Sequence, residues 1–211
     1  MGGFMIQHEG IYLPRIIDSV VEQHLQAFGA IEITGTMWSG KTWTSLEHGE
    51  SECNLDDPEI RNLAELSPDT ILSGKTPQVI DEWQLVPSIW DVIRRRVDTA
   101  AGKRGLYILT GSSRPSKNST THSGSGRISR LKMWPMSLQE SKDSDGTVSL
   151  SDLFDNKFLP SEYALKPIEL AKLICRGGWP AALNLDPSLS GLVATQYIDS
   201  LISSQDINAP E

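Results

Sequence analysis

The sequence predicts an α/β fold, a parallel sheet with helices on both faces, from three observations. Short β-type runs alternate with helix-type stretches from residue 15 to residue 134. A glycine-rich loop, residues 35–42, separates one such run from the helix-type stretch after it. A second apolar run, Gln78-Val79-Ile80, ends in the paired carboxylates Asp81 and Glu82.

The elements follow in order. Residues 15–27 (RIIDSVVEQHLQA) place Ile16, Ile17, Val20, Val21 and Leu25 at helical spacing, with Pro14 suited to the first turn and Gly29 to the end. Residues 30–34 (AIEIT) read as a strand running directly into the loop, and residues 42–48 as the helix that the loop opens. Residues 53–55 form a short strand. Asp56-Asp57-Pro58-Glu59 then supplies an acidic cap and an early proline for a helix with Leu63 and Leu66 on one face. After the strand at residues 78–80, Pro87 opens a helix through Ala100, with Ile89, Trp90, Ile93 and Val97 turned one way. Residues 106–109 (LYIL) are a strong strand and residues 131–134 a fifth. Residues 112–129, rich in Ser, Thr, Gly, Pro, Lys and Asn, are expected to be a long mobile loop. A polar turn at 141–146 leads to helices at 167–175 and 189–202.

Composition narrows the function. A formal net charge of −8, from 19 basic and 27 acidic residues, argues against a broad nucleic-acid surface, because phosphate contacts need clustered Lys and Arg. The triplet Arg94, Arg95 and Arg96 reads as a solvated helix face. Cys53 and Cys175 lie far apart, without a CxxC, and are expected to be unpaired buried thiols. His8, His24, His48 and His122 have no metal-ligand spacing. Trp83, Trp90, Trp134 and Trp179 read as core or interface anchors. No apolar run approaches the ~20 residues that span a bilayer, and no signal peptide opens the chain, so a cytoplasmic location is expected.

Gly35-Thr36-Met37-Trp38-Ser39-Gly40-Lys41-Thr42 fits G-x-x-x-x-G-K-[ST] at every fixed position. Glycines let main-chain N–H groups turn inward around phosphates. Lys41 is expected to reach the terminal phosphates of ATP, and the Thr42 hydroxyl to join the shell of a Mg²⁺ ion. Asp81, 40 residues after Lys41, is placed to hold the same ion. Glu82 beside it can polarise the attacking water. A hydroxyl in Thr110-Gly111-Ser112-Ser113, after a strand, can orient that water; Ser112 is the candidate. Arg127 and Arg130, near Gly124 and Gly126, are candidates to stabilise transition-state charge, from within the chain or from a neighbouring copy, or to be structural.

Five stretches together resemble one family: residues 33–45 (ITGTMWSGKTWTS), 79–98 (VIDEWQLVPSIWDVIRRRVD), 107–115 (YILTGSSRP), 122–141 (HSGSGRISRLKMWPMSLQES) and 176–183 (RGGWPAAL). They are similar to the prokaryotic AAA+ ATP-binding proteins that join a P-loop ATPase module to a C-terminal domain of unknown function. The resemblance implies a P-loop NTPase sheet of the ASCE class with the loop-bearing strand central. It also implies Walker A at Lys41 and Thr42, Walker B at Asp81 and Glu82, and a polar sensor near Ser112. Relatives are usually longer, so the chain is expected to be an N-terminal part, with residues 1–140 the ATPase core and 141–211 a helical, lid-like segment. An ATP-hydrolysing module that drives or gates an effector domain is the leading expectation. A nucleotide-dependent switch with little turnover, and a P-loop kinase, remain alternatives; Glu82 directly after Asp81 favours activated water over a positioned acceptor. A homo-oligomer, and a protein or DNA partner reached through a C-terminal region that this chain is expected to lack, stay open.

Overall fold

The structure is a computed structural model that describes residues 12–111, 124–157 and 165–206. Two compact units divide it, Met1–Trp134 and Pro135–Glu211.

In the first unit, α1 (Asp18–Ala27) leads into β1 (Ala30–Gly35), and the glycine-rich loop connects β1 to α2 (Lys41–Glu47). Then come β2 (Ser51–Asn54), α3 (Pro58–Leu66), the single turn α4 (Pro68–Ile71) and β3 (Gln78–Asp81). A 3₁₀ turn, Trp83–Leu85, precedes α5 (Ser88–Thr99), followed by β4 (Tyr107–Gly111) and β5 (Ile128–Met133). The five strands lie in the order β2-β3-β4-β1-β5. Every pairing is parallel. The loop-bearing β1 is flanked on both sides, by β4 and by β5.

Because side chains alternate across a strand, this sheet needs apolar cover on both faces. Ile31, Ile33, Val79, Ile108 and Leu131 pack on one side with Val21 of α1 and Leu46 of α2. Ala30, Cys53, Ile80, Tyr107 and Leu109 pack on the other with Ala64 of α3 and with Ile89, Trp90, Ile93 and Val97 of α5. The parallel α/β architecture expected from the sequence is thus present. Within α5, the four residues at three-to-four spacing are indeed buried, together with Val92.

Several local expectations need correction. Helix α1 begins at Asp18 rather than Arg15, because Asp18 draws in the Arg15 main-chain N–H (2.7 Å) and turns the chain first. Asp57 caps α3 through the Glu59 N–H (2.8 Å), as an acidic cap should. That helix buries Ala64, however, and leaves Leu63 and Leu66 outside, Leu66 at 86% exposure. Arg96 is not a solvated charge: its guanidinium bonds Asp69 Oδ1 (2.9 Å) and the Asp69 and Leu72 carbonyls. Strand β5 starts at Ile128, so residues 128 and 129 belong to the sheet rather than to a loop; residues 112–123 lie outside the described residues. Trp83 and Trp90 are core, whereas Trp134 is largely exposed.

The second unit contains α6 (Leu150–Phe154), α7 (Pro167–Arg176), a 3₁₀ turn at Pro180–Ala182 and α8 (Pro187–Asp206). Arg176 at the end of α7 pairs with Asp143 (2.5 Å), and the Trp179 and Tyr197 rings lie 4.8 Å apart. Cys175 is exposed on α7, against expectation, while Cys53 is buried in the first unit, where burial pushes its thiol pKa up to about 12. Among the described residues no helix is long and apolar enough to cross a membrane.

Ile108 is fully buried mid-strand, so Ile108→Ala should cost about 2–5 kcal/mol in urea unfolding. Leu66→Ala, on the outward side of α3, should change stability by no more than about 0.5 kcal/mol.

Candidate functional site

The C-terminal ends of β1, β3 and β4 lie side by side, which is where open parallel sheets place their ligands. Here the strand ends deliver the glycine-rich loop, the Asp81-Glu82 pair and Thr110.

Glycine is required at both ends of the loop. A Cβ on Gly35 would collide with the Met133 carbonyl of the neighbouring β5. Gly40, with φ 95° and ψ 20°, occupies the left-handed region immediately before α2. Trp38 takes φ 60° without being glycine, a conformation costing about 1 kcal/mol or more that tends to persist at functional sites. The resulting turn swings Lys41 back over its own loop, where its buried ammonium donates to the Thr36 carbonyl (2.8 Å). Burial lowers the Lys41 pKa; the charges of Glu82 and Asp81 oppose that shift.

Asp81 is the meeting point. The Thr42 hydroxyl donates to both of its carboxylate oxygens (3.2 and 3.1 Å), and the Thr110 hydroxyl donates to Oδ1. Burial raises the Asp81 pKa, and the Glu82 charge adds to this, while the two hydroxyls favour the ionised form. Glu82 follows in the left-handed region (φ 54°, ψ 42°), and the Gln84 carboxamide donates to its carboxylate. Gln84 Oε1 is buried against Gly111 with no hydrogen-bond partner among the described residues.

The other sequence candidates fall elsewhere. Arg127 lies at the opposite edge of the sheet: its carbonyl accepts the N–H of Ala30, the first residue of β1, and its guanidinium pairs with Asp98 of α5. Arg130 is registered with Glu32 in the middle of β1 and pairs with it (2.6 Å), its guanidinium 5.2 Å from the Trp90 ring centre. Glu32 is buried and also accepts from Trp83 Nε1 (3.2 Å), so Arg130 completes the neutralisation of a buried carboxylate. Neither arginine is brought to the loop within this chain. Ser112 lies outside the described residues; within the described part of that stretch, the Thr110 hydroxyl reaches Asp81.

Two groups escaped the sequence reading. Arg15 is buried with its guanidinium on the Ser39 carbonyl, although nothing in the local pattern distinguishes it from a solvated helix-start arginine. Gln84 looks like an ordinary polar residue after the acidic pair. In the second unit a half-open cavity of about 270 Å³ is lined by Asp143, Glu169, Lys172 and Arg176 among leucines; it shares no residue with the loop.

The donor set suits a small hard cation. Thr42 and Asp81 offer a hydroxyl and a carboxylate facing one another, and Mg²⁺ at phosphate sites takes one or two protein oxygens and completes its shell with phosphate and water.

A family model described as an AAA domain matches residues 28–142, more than half of the chain. The match spans β1 to the end of β5 and therefore the glycine-rich loop, the Asp81-Glu82 pair and Thr110. No curated protein matches the chain.

Asp81 is held ionisable in a buried setting at a cost. In the nucleotide-free protein, Asp81→Asn should therefore raise Tm, by about 2–4 °C if the relief is ~1 kcal/mol. Any further rise in Tm that ATP with Mg²⁺ gives wild type should be lost in the same variant. Differential scanning fluorimetry with and without the pair checks both.

Proposed function

The chain belongs to the AAA domain family, a nucleotide-binding, ATPase-like module, and from that premise we propose that it hydrolyses ATP with Mg²⁺ at the junction of the loop and Asp81. The observation that carries the reading is the Thr42–Asp81–Thr110 cluster beside a buried lysine: a hydroxyl, a carboxylate and an ammonium converge where a phosphate chain would enter.

Lys41 lies on the Thr36 carbonyl, an interaction that a triphosphate would outcompete, since a charge-assisted bond to phosphate is stronger than one to a neutral carbonyl. The loop N–H groups and the start of α2 would receive the phosphate oxygens. Thr42 and Asp81 would hold Mg²⁺, which neutralises charge on the phosphates when bound. Glu82 would accept a proton from the attacking water as its oxygen bonds to the terminal phosphorus. The bridging bond then breaks, and ADP keeps the electron pair. Thr110 fixes the Asp81 carboxylate throughout.

A second reading, a nucleotide-dependent switch with little turnover, is favoured by one observation: Arg127 and Arg130 are already committed to Asp98 and Glu32. Efficient turnover would then need an arginine from another copy or partner. Residues 1–140 as the core, residues 141–211 as a lid-like segment, a cytoplasmic location and coupling to an effector domain belong to the same proposal.

Lys41→Ala should abolish tight ATP binding in calorimetry, and Glu82→Gln should keep binding while cutting turnover by about 100-fold or more. Wild-type affinity in the first variant would overturn the phosphate site. Unchanged turnover in the second would remove Glu82 from the mechanism. A wild type that binds ATP tightly without releasing phosphate would favour the switch.

A further inference from the structure

Arg15 lies before residue 28, where the family match begins, yet it reaches into the phosphate loop. Its side chain is buried, with 7% of the residue exposed. Nη1 donates to the Ser39 carbonyl (2.8 Å) and Nη2 to the Trp134 carbonyl (2.9 Å). Ser39 sits between the two left-handed residues of the loop, Trp38 and Gly40, where no regular ladder serves its carbonyl. Trp134 is the residue just after β5, beyond the sheet register. One planar fork thus satisfies two main-chain acceptors that secondary structure leaves over.

The arginine is itself held in place. Its main-chain N–H donates to Asp18 Oδ2 (2.7 Å), and Asp18 Oδ1 accepts from the Tyr12 hydroxyl (2.7 Å). The Tyr12 hydroxyl lies 3.1 Å from Thr44 Oγ1 on α2, and His48 Nε2 lies 3.3 Å from Asp18 Oδ1 just after that helix. Burial pushes the Tyr12 pKa well above its ordinary value, so the phenol stays a donor. The segment around Tyr12, Arg15 and Asp18 therefore touches the loop, the helix it opens and the end of β5.

We infer that Arg15 is a positioning residue for the nucleotide site: its guanidinium pins the Ser39 carbonyl to the end of β5 and so fixes the loop backbone whose N–H groups receive the phosphates. This rests on the phosphate-site reading above. A guanidinium can span two carbonyls with a rigid fork; an ammonium cannot reproduce that geometry, and a thioether donates to neither. The effect should be local to the loop rather than a general loss of folding.

Arg15→Met and Arg15→Lys, beside wild type and Lys41→Ala, test this by amide exchange without nucleotide and by calorimetric titration with ATP and Mg²⁺. In Arg15→Met, amides from Ser39 to Thr44 should exchange about tenfold faster or more, with α5 unchanged, and ATP affinity should fall by a similar factor. Arg15→Lys should lie between Met and wild type, and it carries the test if the Met variant does not fold. Loop exchange equal to wild type, or a rise shared equally by α5, would overturn the inference. If Lys41→Ala binds ATP as wild type does, the phosphate-site reading falls, while the exchange comparison still decides whether Arg15 holds the loop.

Discussion

The Asp81 carboxylate is the constraint on which the site depends. It is buried at the end of β3 and receives hydroxyls from two other elements, Thr42 at the start of α2 and Thr110 at the end of β4. A carboxylate removed from water must find donors nearby or lose its charge. These two hydroxyls therefore do more than decorate a pocket: they fix where the loop-bearing helix stands relative to the sheet. The parallel register of β3, β4 and β1 makes the arrangement possible by ending all three strands at one edge. The glycine-rich loop is then short enough to bring Lys41 beside the same carboxylate.

Groups gathered this way oppose stability. Lys41 and Asp81 are both buried, and Trp38 and Glu82 both hold left-handed backbone without being glycine. The compensation lies in the two apolar layers against the sheet, which enclose fully buried Ile31, Ile33, Ile80, Ile108 and Leu109. The sheet supplies rigidity, and the strained, polar edge is where chemistry is affordable. The same division explains why Glu32, a carboxylate in the middle of β1, is met by both Trp83 and the charged Arg130, whereas the edge carboxylates Asp81 and Glu82 accept from the uncharged donors Thr42, Thr110 and Gln84.

Much of this was legible in residues close together in the chain. A loop motif between a strand and a helix, an apolar run ending in two acids, and a helix with apolar residues at three-to-four spacing each state their own structure. What escaped depends on distant partners. Arg127 and Arg130 look alike in sequence, but register with β1 sets one at the far edge of the sheet and the other on a buried glutamate. Leu63 and Leu66 share a face of α3, but Ile60 and Ala64 share the one that the core covers. The Thr110 hydroxyl gains its role only from the end of β4 lying against Asp81. Arg15 is the clearest case, since its two carbonyl partners are 24 and 119 residues away.

If Lys41, Thr42 and Asp81 form one phosphate and metal site, their present contacts are placeholders. A crystal structure with a non-hydrolysable ATP analogue and Mg²⁺ tests it most directly. In it the Lys41 ammonium should leave the Thr36 carbonyl for the terminal phosphates, and Mg²⁺ should separate the Thr42 hydroxyl from Asp81. A nucleotide bound away from the loop, or one bound there with Lys41 still on Thr36 and Thr42 still on Asp81, would contradict it.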